Sequence, residues 1–163
     1  MIKLMRLDDR MIHGQIVIRW TKVLDIKMLI LANDAVAADK TQVMVLKMAA
    51  PPGCRVSVLS IADTIKNVTD PRAADMSIMV ITTNVVDTYT IAKAAPDQVQ
   101  RINFGNLFLD GNVQHLHEVT AYVYVDDKEL AMIKELYDDG FRMDGQLTPD
   151  DVVTPLNKVQ KNV

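Results

Sequence analysis

The chain has 163 residues, a length that predicts one domain, residues 1–163, able to bury roughly two thirds of its unfolded surface. A hydrophobic fraction of 49% and a charged fraction of 24% exclude an intrinsically disordered chain, and a net charge of −3 argues against a nucleic-acid partner. The single cysteine, Cys54, excludes a disulfide within the chain and is typical of a reducing cytosol.

Two further features bear on membranes and secretion. No apolar run approaches the roughly 18 residues that a membrane helix needs. The first nine residues already include one arginine and two aspartates, which is too early for the apolar region of a secretory signal. We therefore expect a cytoplasmic protein.

In the first half of the chain, apolar runs typical of buried strands alternate with helical periodicity. The runs lie at residues 2–7, 27–32, 55–60 and 77–82. Between the first two runs, one helix face is formed by Ile16, Val17, Trp20, Val23 and Leu24. Asp39 is placed to cap a second helix, which carries Val43 and Leu46 and ends at the turn of residues 51–53.

The second half begins with a segment that lacks helical periodicity. Gly105 and Gly111 interrupt two apolar runs between residues 101 and 125. This pattern predicts a strand, a glycine-bearing loop with a turn at residues 103–106, and a returning strand. Helical signals return at Asp126 or Asp127, either of which can cap a helix that Gly140 ends. Its apolar face is formed by Leu130, Ile133 and Tyr137.

The last part of the chain predicts one more strand and a short helix. Apolar and polar residues alternate from Phe141 to Leu147, which indicates a half-exposed final strand. Thr154 and Pro155 are typical of the start of a terminal helix. The order of all these elements favours an α/β fold of three layers, with an open, mostly parallel β-sheet, helices on both faces, and a late antiparallel strand or hairpin.

The densest cluster of charge lies where the first strand passes into the first helix. The segment reads Arg6-Leu7-Asp8-Asp9-Arg10-Met11-Ile12-His13-Gly14-Gln15. Open α/β sheets place their chemistry at such crossings, and a helix N-terminus offers free backbone N–H groups to an anion. Arg6 and Arg10 add guanidinium forks that suit phosphate oxygens. Because a neutral imidazole is a nucleophile, the segment predicts that His13 accepts a phosphoryl group.

This segment resembles the active-site signature of the enzyme IIB components of the mannose/fructose/sorbose family of the bacterial phosphoenolpyruvate-dependent sugar phosphotransferase system. That signature reads roughly Arg-Ile-Asp-Asp-Arg-Leu-Ile-His-Gly-Gln-Val. Leu7, Met11 and Ile16 depart from it only by exchanging one apolar residue for another. The resemblance continues to about residue 145, through blocks at residues 19–21, 34–39, 50–53, 83–84 and 103–106.

The resemblance implies a phosphocarrier, an enzyme of the protein-N(pi)-phosphohistidine–sugar phosphotransferase type. His13 would take phosphate from a phosphohistidine of a IIA component and pass it to a sugar that arrives through the membrane components IIC and IID. Arg10 would stabilise the phosphate. Such a protein is cytoplasmic, associates peripherally with IIC and IID, and needs no cofactor or metal. No IIA-like sequence precedes the motif and no ATP-binding loop is present, so we expect the donor to be a separate IIA protein.

Further residues are predicted to support the phosphate pocket: Arg6, Asp8, Asp9, Gly14, Gln15, Thr83, Asn84 and Gly105. One of the two aspartates is expected to orient Arg10 or the imidazole, and the sequence leaves open which. Thr83 and Asn84 either cap the next helix or wall the pocket. The IIA component is expected to dock around residues 8–15, with Asn84 and residues 103–106 nearby.

Three other interpretations concern the aspartates, the histidines and the methionines. Asp8 and Asp9 are also similar to the acidic pocket of a phosphoaspartate receiver domain, but Ser60 and Thr82 end the strands that would supply its acceptor and lysine. His115 and His117 share a strand face, but a zinc site needs more ligands, which favours a solvent-facing strand edge. The ten methionines are interpreted as core filler rather than as an adaptable binding surface.

A different class of function remains open for the segment around His13. A non-catalytic anion-binding or phosphate-sensing regulatory module could use the same arginines and histidine without transferring phosphate.

Overall fold

The computed structural model of the protein describes residues 1–107 and 116–156. The strands in this part are β1 (Ile2–Asp8), β2 (Met28–Ala32), β3 (Arg55–Leu59), β4 (Ile78–Thr82), β5 (Ile102–Asn106), β6 (His117–Thr120), β7 (Val123–Val125), β8 (Met143–Gly145) and β9 (Thr154–Pro155). The helices are α1 (Gly14–Val23), α2 (Asp34–Ala38), α3 (Lys40–Met48), α4 (Ile61–Val68), α5 (Val85–Ala94) and α6 (Asp127–Asp138), with short 3-10 turns at Pro71–Ala73 and Pro96–Gln98.

Seven of these strands form one sheet in the order β3-β2-β4-β1-β5-β8-β9. All neighbours are parallel except β9, which runs antiparallel to β8. A separate antiparallel pair is formed by β6 and β7. The predicted α/β fold with a mostly parallel sheet and a late antiparallel hairpin is confirmed.

Two apolar clusters cover the two faces of the sheet. One cluster packs α4, α5 and α6 against side chains such as Met5 and Leu7 of β1. The other packs α1 and α3 against Leu4 of the same strand. Because successive side chains of a strand point to opposite faces, β1 contributes to both clusters and lies near the middle of the three layers. Its carboxyl end therefore opens at the centre of the sheet edge, where such sheets bind ligands.

Side-chain caps start the helices where the sequence predicts them. Asp39 accepts from the N–H groups of Thr41 and Gln42 at the start of α3. Asp126, rather than Asp127, caps α6 through a reciprocal capping box with Glu129. Helix α2 has no counterpart among the predicted elements, since its five residues are too few for a helical period.

One prediction for the second half of the chain is wrong. Residues 103–106 belong to strand β5 and not to a turn, because Gly105 forms a bulge within the strand between Phe104, opposite Leu7, and Asn106, opposite Asp8. Thr154 and Pro155 pair with β8 as strand β9. The residues after 156, where the predicted terminal helix would continue, and Gly111 in the predicted loop lie outside the described part of the chain.

The predicted half-exposed final strand is also corrected. Met143, Asp144 and Gly145 of β8 are all buried, and Gln146 after them is buried too. The alternating polar side chains face inward because they bind Arg101 on the neighbouring segment. In the described residues, no helix is long and apolar enough to cross a membrane.

Candidate functional site

The loop between β1 and α1 is fixed on both sides. Its backbone bonds to the end of β5, where the N–H of Asp9 donates to the Asn106 carbonyl at 3.0 Å. Ile12 is buried, and Met11 packs against the same apolar cluster. Met11 has a φ of 63°, a left-handed conformation that is strained for a side chain of this kind. The loop is therefore held in one shape just before His13.

His13 is the N-cap residue of α1 and is exposed. Its carbonyl accepts from the N–H groups of Ile16 and Val17, whereas its side chain makes no capping hydrogen bond. The imidazole is thus left for other chemistry beside the first turn of a helix, whose leading N–H groups lack helical partners. Gly14 and Gln15 follow it and are exposed, and a Cβ on Gly14 would meet no atom within 4 Å.

Asp8 lies between two arginines at the end of β1. Its Oδ2 accepts from Arg6 Nη2 at 2.8 Å and from Arg10 Nη2 at 2.9 Å, and its Oδ1 accepts from Arg10 Nε at 2.8 Å. The side chain of Asp8 is 2% exposed and that of Arg10 is 30% exposed. The hydrogen bond with Asp8 raises the pKa of Arg10. Asp8 is therefore the aspartate that orients Arg10.

Asp9 has a different set of contacts. Its Oδ1 accepts from Asn106 Nδ2 at 2.7 Å. This bond joins the loop to the end of β5, alongside the backbone bond between the same two residues. Asp9 therefore fixes the loop to its neighbouring strand.

Arg6 lies below the loop and is fully buried. Its Nη1 donates to the side-chain oxygen of Asn103 and to the Gln146 carbonyl, and its Nη2 donates to the Leu147 carbonyl at 3.0 Å as well as to Asp8. Burial lowers the pKa of Arg6, and the charge of Asp8 opposes that shift. The prediction that Arg6 offers its fork to phosphate oxygens is corrected, because these partners take up its donors. Arg6 supports the site from beneath.

The contacts of Arg6 continue away from the site. Asn103 Nδ2 donates to Asp144 Oδ1 at 2.9 Å, and Arg101 Nη2 donates to the same oxygen at 2.8 Å. The centre of the Trp20 ring lies 5.8 Å from the Arg6 guanidinium and 5.3 Å from that of Arg101. We call this set the buried polar network: Arg6, Asp8, Asn103, Asp144 and Arg101.

Gly105 leaves the space that Arg6 occupies. A Cβ at position 105 would lie 2.2 Å from Arg6 Cζ, closer than real contacts allow. Gly105, which was predicted to support the phosphate pocket, thus makes room for a side chain of the buried polar network.

Thr83 and Asn84 lie at the carboxyl end of β4, next to β1. Asn84 caps α5 by accepting from the N–H of Asp87 at 2.8 Å. Thr83 does not cap that helix, and its hydroxyl accepts from Asn33 Nδ2 at 2.8 Å. Asn33 follows β2 and was not among the predicted site residues. The polar ends of three neighbouring strands thus meet at the edge that carries His13.

The other described histidine, His117, stands apart from this loop. His117 begins β6 and its ring pairs with the Asp127 carboxylate at 2.7 Å, whereas His115 lies outside the described residues. Across residues 1–107 and 116–156, no group of three or more His, Cys, Asp or Glu side chains is arranged to hold a metal ion.

The sequence did not reveal Arg101, Trp20 or Asp144 as residues of the site. For Arg101 and Asp144, the available signal was polar residues at alternate positions of a buried segment, as in Arg101 and Asn103 and in Asp144 and Gln146. Polar side chains on two adjacent buried segments can hydrogen-bond to each other inside the protein. The same alternation of polar and apolar residues is equally typical of a strand with one face in solvent.

Comparisons with known proteins identify the family of the chain. The family described as "PTS system sorbose subfamily IIB component" matches residues 2–163. A probable phosphotransferase enzyme IIB component of Streptococcus pyogenes is 39% identical over 138 residues, covering 83% of this chain and 84% of that protein. The mannose-specific EIIAB component of Escherichia coli is 33% identical over 144 residues, which are 88% of this chain but 43% of that longer protein.

A solved structure has the same fold along its whole length. The IIBSor domain of the sorbose permease from Klebsiella pneumoniae superimposes with a TM-score of 0.87 at 28% identity, covering 99% of this chain and 98% of that one. None of these comparisons supports a non-catalytic anion-binding module. The chain belongs to the sorbose-type family of phosphotransferase-system IIB components and is a phosphotransferase.

Proposed function

We propose that His13 is the phosphoryl acceptor of this IIB component. The observation that carries the proposal is the exposed imidazole at the start of α1, which makes no capping hydrogen bond, in the same loop as an arginine that Asp8 holds in place. A nucleophile next to a fixed cation and free helix N–H groups is what transfer of an anionic group requires.

Arg10 acts as the phosphate-stabilising cation. Among the three arginines that Asp8 and Asp144 bind, Arg10 is the most exposed. It lies in the same loop as His13, three residues before it. A fixed cation stabilises the charge on the transferring oxygens without rearranging during the reaction.

The reaction is a pair of phosphoryl transfers at one nitrogen. In the first, a neutral ring nitrogen of His13 attacks phosphorus, its new N–P bond forms, and the N–P bond of the donor's phosphohistidine breaks. In the second, a sugar hydroxyl oxygen attacks the same phosphorus, the N–P bond of His13 breaks, and the leaving imidazole takes up the hydroxyl proton.

We infer the partners of the protein from its family. The donor is a IIA component, and the acceptor is a sugar delivered by the membrane components IIC and IID, with which the protein associates peripherally. The designation EIIAB of the E. coli relative supports the pairing of A and B functions.

The experiment is phosphoryl labelling with phosphoenolpyruvate, the general phosphotransferase proteins and purified IIA. Wild-type protein becomes labelled, and His13→Ala abolishes the label. His115→Ala and His117→Ala serve as matched controls and keep it. The label is lost in acid and is stable in alkali, as a phosphoramidate is. An acid-stable label that hydroxylamine removes would place the phosphate on a carboxylate and overturn the proposal.

A further inference from the structure

We propose that the exposed face of α3, together with Met11, is the docking surface for the protein that donates phosphate to His13, and that this donor presents an apolar patch edged by carboxylates. We call this surface the α3 face: Met11, Lys40, Met44, Val45, Lys47 and Met48. The proposal rests on the proposed function of His13 and adds to it where the donor binds and through which chemistry.

The first observation is that α3 leaves three of its apolar residues in solvent. None of its nine residues is buried. Met44 is 62% exposed, Val45 is 61% exposed and Met48 is 83% exposed. Three large apolar side chains grouped on one short helix are more than scattered surface residues, and such patches mark sites of interaction.

The second observation is that this surface reaches the catalytic loop. A shallow, almost wholly apolar depression is lined by Met11, Thr41, Gln42, Val45 and Leu46. Met11 lies two residues before His13 and is held in a left-handed conformation. A donor must bring its phosphorus within bonding distance of the imidazole, so it must cover the surface next to His13. The depression connects that surface to α3.

The third observation is the separation of charge. Helix α3 carries Lys40 and Lys47 and contains no aspartate or glutamate between Lys40 and Met48, with Asp39 capping its start, although the chain as a whole has a net charge of −3. Arg10 adds a further cation beside His13. This face is therefore complementary to a partner that carries a phosphoryl anion and acidic side chains.

The side-chain types suit a transient partner. Methionine is flexible and polarizable and adapts to different surfaces, and here two methionines are exposed on α3 while Met5 and Met79 fill the core. The interpretation of the methionines as core filler thus holds for part of the set only. A membrane is the other occupant that lysines and apolar residues could suit. The continuity with Met11 beside His13 favours the donor protein.

The test compares two exposed valines of the same chain. Val45→Glu places a carboxylate in the α3 face, and Val23→Glu places one on a valine that is 63% exposed at the far end of α1, roughly 15 Å along the helix from His13. Single-turnover transfer is measured against the concentration of phosphorylated IIA protein. Val45→Glu is expected to raise the half-saturating IIA concentration at least about tenfold with the limiting rate within about twofold. Val23→Glu is expected to leave both unchanged, and Met44→Glu is expected to reproduce Val45→Glu.

Binding of unphosphorylated IIA, followed by NMR titration, separates this proposal from that for His13. If Val45→Glu binds IIA as the wild type does, the docking proposal is overturned even when His13→Ala abolishes labelling. If His13→Ala still accepts phosphate while Val45→Glu weakens IIA binding, the acceptor assignment fails and the docking surface stands.

Other occupants of the α3 face give distinct results. Sedimentation of the wild type, but not of Val45→Glu, with phosphatidylglycerol vesicles would assign the face to a membrane. A wild-type dimer that Val45→Glu dissociates would assign it to a second copy. Loss of folding stability in Val45→Glu would assign it to another segment of the same chain. Each of these results, with unchanged IIA binding, overturns the proposal.

Discussion

Arg6 and Arg10 lie four residues apart and share one carboxylate, yet their surroundings differ. Arg6 is closed in by Asn103 and by carbonyls after β8, and Arg10 is partly open to solvent. The Asp8 carboxylate accepts hydrogen bonds from Nε and Nη2 of Arg10. A lysine at position 10 would keep the charge but would lose both this fixed contact and the planar fork.

We predict that Arg10→Lys slows single-turnover transfer from phosphorylated IIA by about 10- to 100-fold, which corresponds to about 1.4–2.7 kcal/mol of transition-state stabilisation. Arg10→Gln is expected to be slower still, because the transferring oxygens lose their cation. Arg72→Gln, at an arginine that is paired at the surface elsewhere, serves as the control and should transfer normally. If Arg10→Gln transferred phosphate at the wild-type rate, Arg10 would have no role in the transfer.

The sequence could not separate the roles of these two arginines. Both flank Asp8 in the same motif, and an arginine at the end of a strand can face either side. The deciding partners of Arg6 lie 97 and 140 residues further along the chain. His13 and its setting, by contrast, could be predicted, because a strand, a charged loop and a helix start are all local features.

At the scale of single elements, strand β5 passes close to the Arg6 side chain at one glycine. Gly105 bulges out of register with β1, and the Arg6 guanidinium fills the space that a side chain would take. Because Arg6 is held by several hydrogen bonds, it has little freedom to move away.

We predict that Gly105→Ala lowers the free energy of unfolding by about 3 kcal/mol, the upper end of the usual cost of overpacking a core. Urea denaturation measures this change. Gly14→Ala is the matched control, since open space surrounds that position, and it should stay within about 0.5 kcal/mol of the wild type. A Gly105→Ala variant as stable as the wild type would mean that Arg6 can leave its pocket at no cost.

The elements that were predicted correctly are those with local signals. The four strands of the first half are continuous apolar runs, and Asp39, Asn84 and Asp126 are recognisable caps. Helices α2 and α4 were not predicted, although Asn33 and Ser60 cap them through local hydrogen bonds. The burial of β8 was missed because it depends on a tertiary contact: Asp144 is paired with Arg101, which immediately precedes β5.

At the scale of the whole molecule, β1 joins two apolar clusters and the buried polar network. The network ties the segment after β8 to the catalytic loop through Arg6, and the helices of both faces pack on the same sheet. We therefore propose that residues 1–163 form a single domain, as the length of the chain predicts.

This proposal predicts one cooperative unfolding transition. Trp20, the only tryptophan, is buried next to Arg6 and Arg101, so its fluorescence reports the buried polar network. Far-UV circular dichroism reports the helices on both faces. The two urea curves are expected to coincide, and a separate early transition in fluorescence would indicate that the segment after β8 unfolds as an independent unit.

The central claim, that phosphate resides on His13, is tested most directly by NMR of the phosphorylated protein with 15N-labelled histidine. Phosphorus spectra should contain one phosphohistidine resonance, and of the three imidazole rings only that of His13 should couple to phosphorus and change its nitrogen shifts. Phosphorus coupled to the ring of His115 or His117, or an acyl phosphate resonance with all three rings unchanged, would contradict the account.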